Sequence, residues 1–268
     1  MRALKTLFKL SLWLFILAAI GIGIIAPSTW MYAANTLPND LQLESESDVE
    51  THLRQSIESD RQSLNIGLPP NKRQSVKWDK PDFSRLPKHL IAFYITETGC
   101  PTYFGSPRED GWPWVRRIIG SLQGQILDGD GACELIFARN LARRLQMKTN
   151  MQVTVAADRV HRFLAKDQLV AFDMHSMWFE HGVVGVEKAS EIIMQKPLTE
   201  LNLAELAELQ LAIPPYAYWD DIKLCKNAAM LKEARDTLLN RLAMVGHIST
   251  EMARTASSQP VRCLSVRR

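Results

Sequence analysis

The chain has four cysteines but no Cys-x-x-Cys pair and no grouped Cys/His set, and His175 and His181 lack a third ligand, so nothing in it spells a zinc site. It carries no internal repeat and no low-complexity tract, which removes solenoids and fibrous arrays. Glycine and proline, 13 of each in 268 residues, are too few for a disordered or collagen-like chain. The net charge is only +3 and the cations are scattered, leaving no basic patch for nucleic acid. Strand signals are scarce, the best being the short MQVTVA at residues 151–156. What remains is one mainly α core, or one domain with an appendage.

One long hydrophobic run is present. Arg2, Lys5 and Lys9 precede residues 10–26, LSLWLFILAAIGIGIIA, which carry no charge. At ~1.5 Å per residue, with Leu7 and Phe8 added, the run is long enough to span a bilayer core. A cleaved signal peptide is the other reading, but Met31 and Tyr32 occupy positions where a small residue is wanted. The expectation is an uncleaved anchor over residues 1–34, with Trp30 and Tyr32 at the outer interface and the basic N-terminus in the cytoplasm. In a bacterium the main domain then lies outside the cytoplasmic membrane, where Cys100, Cys133, Cys225 and Cys263 meet an oxidising environment. Four thiols allow three pairings; a bridge between Cys225 and Cys263 would pin the C-terminal tail, and unpaired buried thiols are the equal alternative.

Residues 35–77 are polar and read as a stalk. Within them Val49, Leu53, Ile57 and Leu64 fall near helical spacing behind a Ser47/Glu50 capping box; the stripe is thin and needs a partner or a membrane surface. The segment at 90–95 is too short to decide helix against strand. CELIFARNLARRLQ places Leu135, Ala138, Leu141, Ala142 and Leu145 on one helix face, with Arg139, Arg143 and Arg144 largely on another. Asn202 and Glu205 open a helix that ends at Pro214, and a helix carrying Leu231, Ala234, Leu238, Leu242 and Val245 stops at Gly246. Residues 257–268 form a basic tail, expected to be solvated and mobile.

Four segments together resemble the transglycosylase domain of glycosyltransferase family 51. KDQLVAFDMHSMWFEHGVVGVEKASEIIMQKPLTELNLAELAELQLAIPP is similar to the family's run from K-D-E-I-L-E-x-Y-L-N to L-x-L-A-E-A-A-x-L-A-x-L-P, keeping Lys166, Asp167, Phe179, Gly182, Gly185, Glu187, Lys196, Leu203, Ala204, Glu205 and Pro214. LLNRLAMVGHISTEMA resembles the family's ending. LPKHLIAFYITETG resembles I-P-x-x-L-x-x-A-x-I-A-x-E-D and puts Glu97 on the family's catalytic glutamate, although Thr98 replaces the adjoining acid. GDGACELIFARNLARRL resembles G-G-S-T-I-T-Q-Q-L-A-K-N-L, with Arg139 standing for the lysine and Asn140 kept, but without its Ser, Thr and Gln residues. No glutamate occurs between Glu134 and Glu180, so the family's second catalytic acid is missing.

The resemblance implies a mainly α, lysozyme-like domain over residues 78–256. It implies a reaction that joins the 4-hydroxyl of one lipid-linked disaccharide to the anomeric carbon of another, expelling a lipid diphosphate. Glu97 would be the general base, a role worth ~10²- to 10⁴-fold. Arg139, Asn140, Arg143 and Lys148 would meet the diphosphate, arginine forks gripping phosphate oxygens in pairs. A divalent ion, Mg or Mn, is implied by the family alone. The partners implied are the bilayer, the lipid-linked precursor and cell-wall synthases. A relative that binds the precursor or a synthase without turnover is the second expectation. Asp167, Asp173 and Glu187 read as structural, and a lysozyme-type hydrolase would need a second carboxylate at a set separation.

Overall fold

The computed structural model describes residues 28, 30–32, 34, 35, 37, 41, 43–66, 75, 79–106, 131–179, 183–213 and 228–262. They are mainly helical: α1 (Glu46–Leu64), α2 (Lys88–Glu97), α3 (Gly131–Arg144), α4 (Asn150–Phe163), α5 (Lys166–Ser176), α6 (Val186–Ala189), α7 (Leu203–Leu211), α8 (Ala228–Met244) and α9 (Thr250–Ser257). A two-stranded antiparallel ribbon, β1 (Trp178–Phe179) and β2 (Val183–Val184), follows α5 and sets Trp178 opposite Val184.

The centre of the core is α7, whose residues from Ala204 to Leu211 are all buried. It packs against α2 and α8, while α3 packs against α4 and α5. Phe93, Phe137, Leu141, Leu209 and Leu239 are fully enclosed where these layers meet. Burial on every side explains why LAELAELQL shows so weak an apolar stripe.

Helix α7 begins as expected. The Asn202 side chain accepts from the Glu205 N–H and the Glu205 carboxylate accepts from the Asn202 N–H. Gly246 also stops α8 as expected: its φ is +81°, and its own N–H and that of His247 reach back to Ala243 and Leu242 in a Schellman closure. On α8, however, Arg235 and Leu239 are fully buried beside Leu231, Leu238 and Leu242, whereas Val245 is exposed.

Three expectations are corrected. MQVTVA is helical and lies in α4. Thr149 and Gln152 form a capping box there, and Val153, Ala156, Ala157 and Val160 are buried at helical spacing, so end chemistry and packing outweigh a local β preference. The N-cap of α1 is Ser45, accepting from the Asp48 N–H, in place of the Ser47/Glu50 box. The tail is docked at its start, because the Arg262 N–H donates to Glu208 and its guanidinium to Glu205.

The thin stripe of α1 finds its partner in the main body: Val49, Leu53 and Ile57 are fully buried, and α1 packs on α3, α4 and β2. Trp30 packs with Leu37 against Val155 of α4, and Tyr32 is exposed. Residues 10–26, expected as the anchor, and Cys225 and Cys263 lie outside the described residues. Among the described residues no helix is long and apolar enough to cross a membrane.

Gly185 sits where only a glycine fits without strain. Its φ is +95°, and an added Cβ would lie 2.8 Å from the His175 carbonyl oxygen. Gly246 has a similar φ but open space around it. Gly185→Ala is therefore expected to cost about 2–4 kcal/mol, strain and backbone clash together, against about 1 kcal/mol for Gly246→Ala. Urea unfolding midpoints of the two variants measure the difference, and equal shifts would contradict it.

Candidate functional site

Glu97 is the last residue of α2, after an entirely buried stretch from Leu90 to Thr96. The helix stops there because the Thr98 hydroxyl donates to the Tyr94 and Ile95 carbonyls and Gly99 turns the chain at φ +78°. Cys100 then bridges to Cys133 in the first turns of α3. The end of α2 is thereby stapled to the helix that carries Arg139 and Asn140. The Glu97 side chain is 7% exposed, and its Oε1 accepts from an Arg241 NH1 of α8 at 2.6 Å. This carboxylate does not face bulk water; it is paired with a guanidinium that is itself half exposed.

On α3 the side chains divide. Asn140 donates to Asp173 of α5 at 3.0 Å, and the Tyr94 hydroxyl donates to the same carboxylate oxygen. Asp173 is almost wholly buried, which pushes its carboxyl above the usual range despite these bonds and the nearby Arg144. Asn140, Arg143 and Arg144 line a cavity of about 530 Å³ together with Asp60, Asp173 and Trp178. The residues expected at the diphosphate thus separate. Asn140 and Arg143 meet at this cavity, and neither Arg139 nor Lys148 nor Glu97 is among its lining residues. Lys148 is exposed, its N–H donating to Gln152 at the start of α4.

Sequence reasoning missed Asp60 and Trp178, which come from α1 and β1, remote in the chain. Asp173 offered one signal, an acid inside the apolar run VAFDM.

A second buried charge cluster underlies the Cys100–Cys133 bridge. Glu134 is 2% exposed and pairs with Lys166 at 2.9 Å and with His161. Lys166 also donates to the carbonyls of Tyr103 and Ser106, at 2.8 and 2.7 Å, and so fixes the loop after Glu97. Glu134 is therefore committed to the scaffold and does not supply the missing second acid. His175 is likewise structural: Arg61 donates to its Nε2 at 3.1 Å and its Nδ1 faces Glu187 at 3.2 Å, a geometry that fits the Nδ1–H tautomer. Among the described residues no three His, Cys, Asp or Glu side chains converge as metal ligands, so these residues do not fit the divalent ion that the resemblance implies.

Comparison with known proteins finds relatives named as penicillin-binding proteins. Penicillin-binding protein 1F of Bacillus subtilis is 34% identical over 107 residues, 39% of this chain and 14% of that protein. Penicillin-binding protein 1A of Pseudomonas aeruginosa is 20% identical over 266 residues, 97% of this chain and 30% of its own length. Penicillin-binding protein 1A of Aquifex aeolicus is 26% identical over 201 residues, 73% of this chain and 26% of its own length. The chain spans less than a third of the length of these curated relatives. No protein-family model matches it.

Burial works to raise Glu134, but the bonds from His161 and Lys166 and their charges outweigh it and hold its carboxyl below the ordinary value of 4.5. Its contribution to stability is thus complete above that value and is lost as pH falls through the lower, folded-state value. Thermal stability is expected to decline as pH drops below 4.5. Glu134→Gln should make that decline shallower and cost about 3–5 kcal/mol near neutrality, since Lys166 loses its buried counter-charge. Melting curves of the two proteins from pH 3 to 7 test this, and an unchanged acid limb would remove Glu134 from the account.

Proposed function

We propose that this chain is a peptidoglycan glycosyltransferase-like protein, with a lysozyme-like domain held at a bacterial cytoplasmic membrane by residues 10–26, that acts on the lipid-linked disaccharide precursor in cell-wall biosynthesis. The observation that carries this reading is the setting of Glu97: a carboxylate withdrawn from bulk water at the end of an apolar helix, stapled beside α3. The names of its relatives agree with that role. In this reading Glu97 takes the proton of the acceptor hydroxyl as it attacks the anomeric carbon, and cations of α3, Arg139 foremost, meet the departing diphosphate. A disulfide between Cys100 and Cys133 suits the oxidising side of the membrane.

Turnover is slow in this reading. Arg241 occupies one oxygen of the base, and the sequence has no glutamate between Glu134 and Glu180 to serve as a second acid. The Glu97–Arg241 pair also favours a second reading, in which the chain binds the precursor or a cell-wall synthase without turning it over.

Purified full-length protein incubated with lipid-linked disaccharide separates the two. The expected result is slow formation of glycan chains, lowered about 10²- to 10⁴-fold in Glu97→Gln and raised in Arg241→Ala. Precursor binding with no product in any variant supports the binder instead. Product formation that is indifferent to Glu97→Gln would remove Glu97 from the mechanism, and absence of both product and binding would overturn both readings.

A further inference from the structure

The cavity beside α3 has a chemistry of its own. Asp60 of α1 accepts from the Trp178 indole N–H at 3.2 Å and lies 3.6 Å from an Arg144 NH1. The Ser56 hydroxyl donates to the Arg144 carbonyl at 2.7 Å, tying α1 to the end of α3. Asn140 and Asp173 form another wall, fixed to each other and to Tyr94. Trp178 is 40% exposed, so part of its ring is open to a ligand while its N–H is held. Arg144 Nε is buried with no hydrogen-bond partner among the described residues. The volume of about 530 Å³ lies within the ordinary range of ligand sites.

Charge decides what fits. Arg143 and Arg144 share the lining with Asp60 and Asp173, and a polyphosphate entering here would meet the Asp60 carboxyl group and a guanidinium, Arg144, already paired with it. An uncharged ligand meets no such opposition. Planar amide, carboxyl and guanidinium groups offer acceptors and forked donors to a ring of hydroxyls, and an indole face covers its apolar C–H side.

We infer that the cavity between α1, α3 and β1 is a saccharide-binding site, distinct from Glu97, that takes an uncharged oligosaccharide with Trp178 as its platform and Asp60, Asn140 and Arg144 as its polar contacts. Such a site would hold a glycan strand on the protein whether or not Glu97 transfers sugars. It also gives Asn140 and Arg143 a ligand other than the diphosphate.

The test is calorimetric titration of the full-length protein, without lipid precursor, using the tetramer of N-acetylglucosamine and, separately, inorganic pyrophosphate. The tetramer is expected to bind the unaltered protein, to weaken about tenfold or more in Trp178→Ala, and to bind Trp178→Phe nearly as well as the unaltered protein. Asp60→Asn, which keeps the shape but removes the charge, should weaken it less than Trp178→Ala. Melting temperatures of the variants establish that they fold. No binding at millimolar tetramer, or equal binding in Trp178→Ala, overturns the proposal. So does pyrophosphate that binds and is lost in Arg143→Ala, which would make the cavity an anion site. Because no turnover is read, a failed polymerisation assay leaves this result intact and bears only on the glycosyltransfer reading.

Discussion

A carboxylate taken out of water must be met by donors or cations, and in this chain that requirement governs where most of the charged residues go. Glu208 on α7 is met by the fully buried Arg235 at 2.8 Å, and Glu205 by Lys196 at 2.6 Å and Arg262 at 2.7 Å. Glu134 is met by Lys166 and His161, Asp173 by Tyr94 and Asn140, and Glu97 by Arg241. These pairs link segments distant in sequence: the C-terminal strap to α7, the loop after α2 to α3 and α5, and α8 to the end of α2. Replacing such pairs by apolar side chains would often be neutral for stability, but removing one partner alone strands a charge. Several positions that match a glycosyltransferase motif, Lys166, Glu187, Lys196 and Glu205 among them, are thus accounted for by the scaffold. Their presence argues for the fold more than for the reaction.

The helices were legible in the sequence where their ends carry chemistry. Asn202 with Glu205, and Gly246 with its Schellman closure, were readable because a cap is a local device that the chain spells out within a few residues. MQVTVA was misread because a short window of β-branched residues says nothing of the Thr149 cap before it or of the burial of Ala156 and Ala157. Arg235 was missed for the opposite reason. It stands on the apolar face of α8 between Leu231 and Leu238, and a basic residue in that register signals a buried acid partner elsewhere. The 530 Å³ cavity was not legible at all, since Asp60, Asn140, Asp173 and Trp178 come from four elements and only tertiary packing brings them together.

The placement of Glu97 separates two properties that a sequence motif presents as one. A base needs a lone pair free to accept a proton and a site from which water is excluded. The second condition is met, with the side chain 7% exposed and the Cys100–Cys133 bridge holding the turn that follows it. The first is met less well, because Arg241 holds Oε1 at 2.6 Å and draws on its lone pairs. That guanidinium is 49% exposed, so water and salt weaken the pair, and its departure leaves the arginine solvated while the carboxylate stays largely enclosed. Release therefore costs more at Glu97 than at Arg241. A neutral hydroxyl arriving alone gives the guanidinium no other partner, whereas a substrate whose phosphates draw it away offsets the cost of release at Arg241. In the proposed glycosyl transfer, the phosphates of the lipid-linked substrate are the group that would draw Arg241 from Oε1 and leave that oxygen to the acceptor hydroxyl.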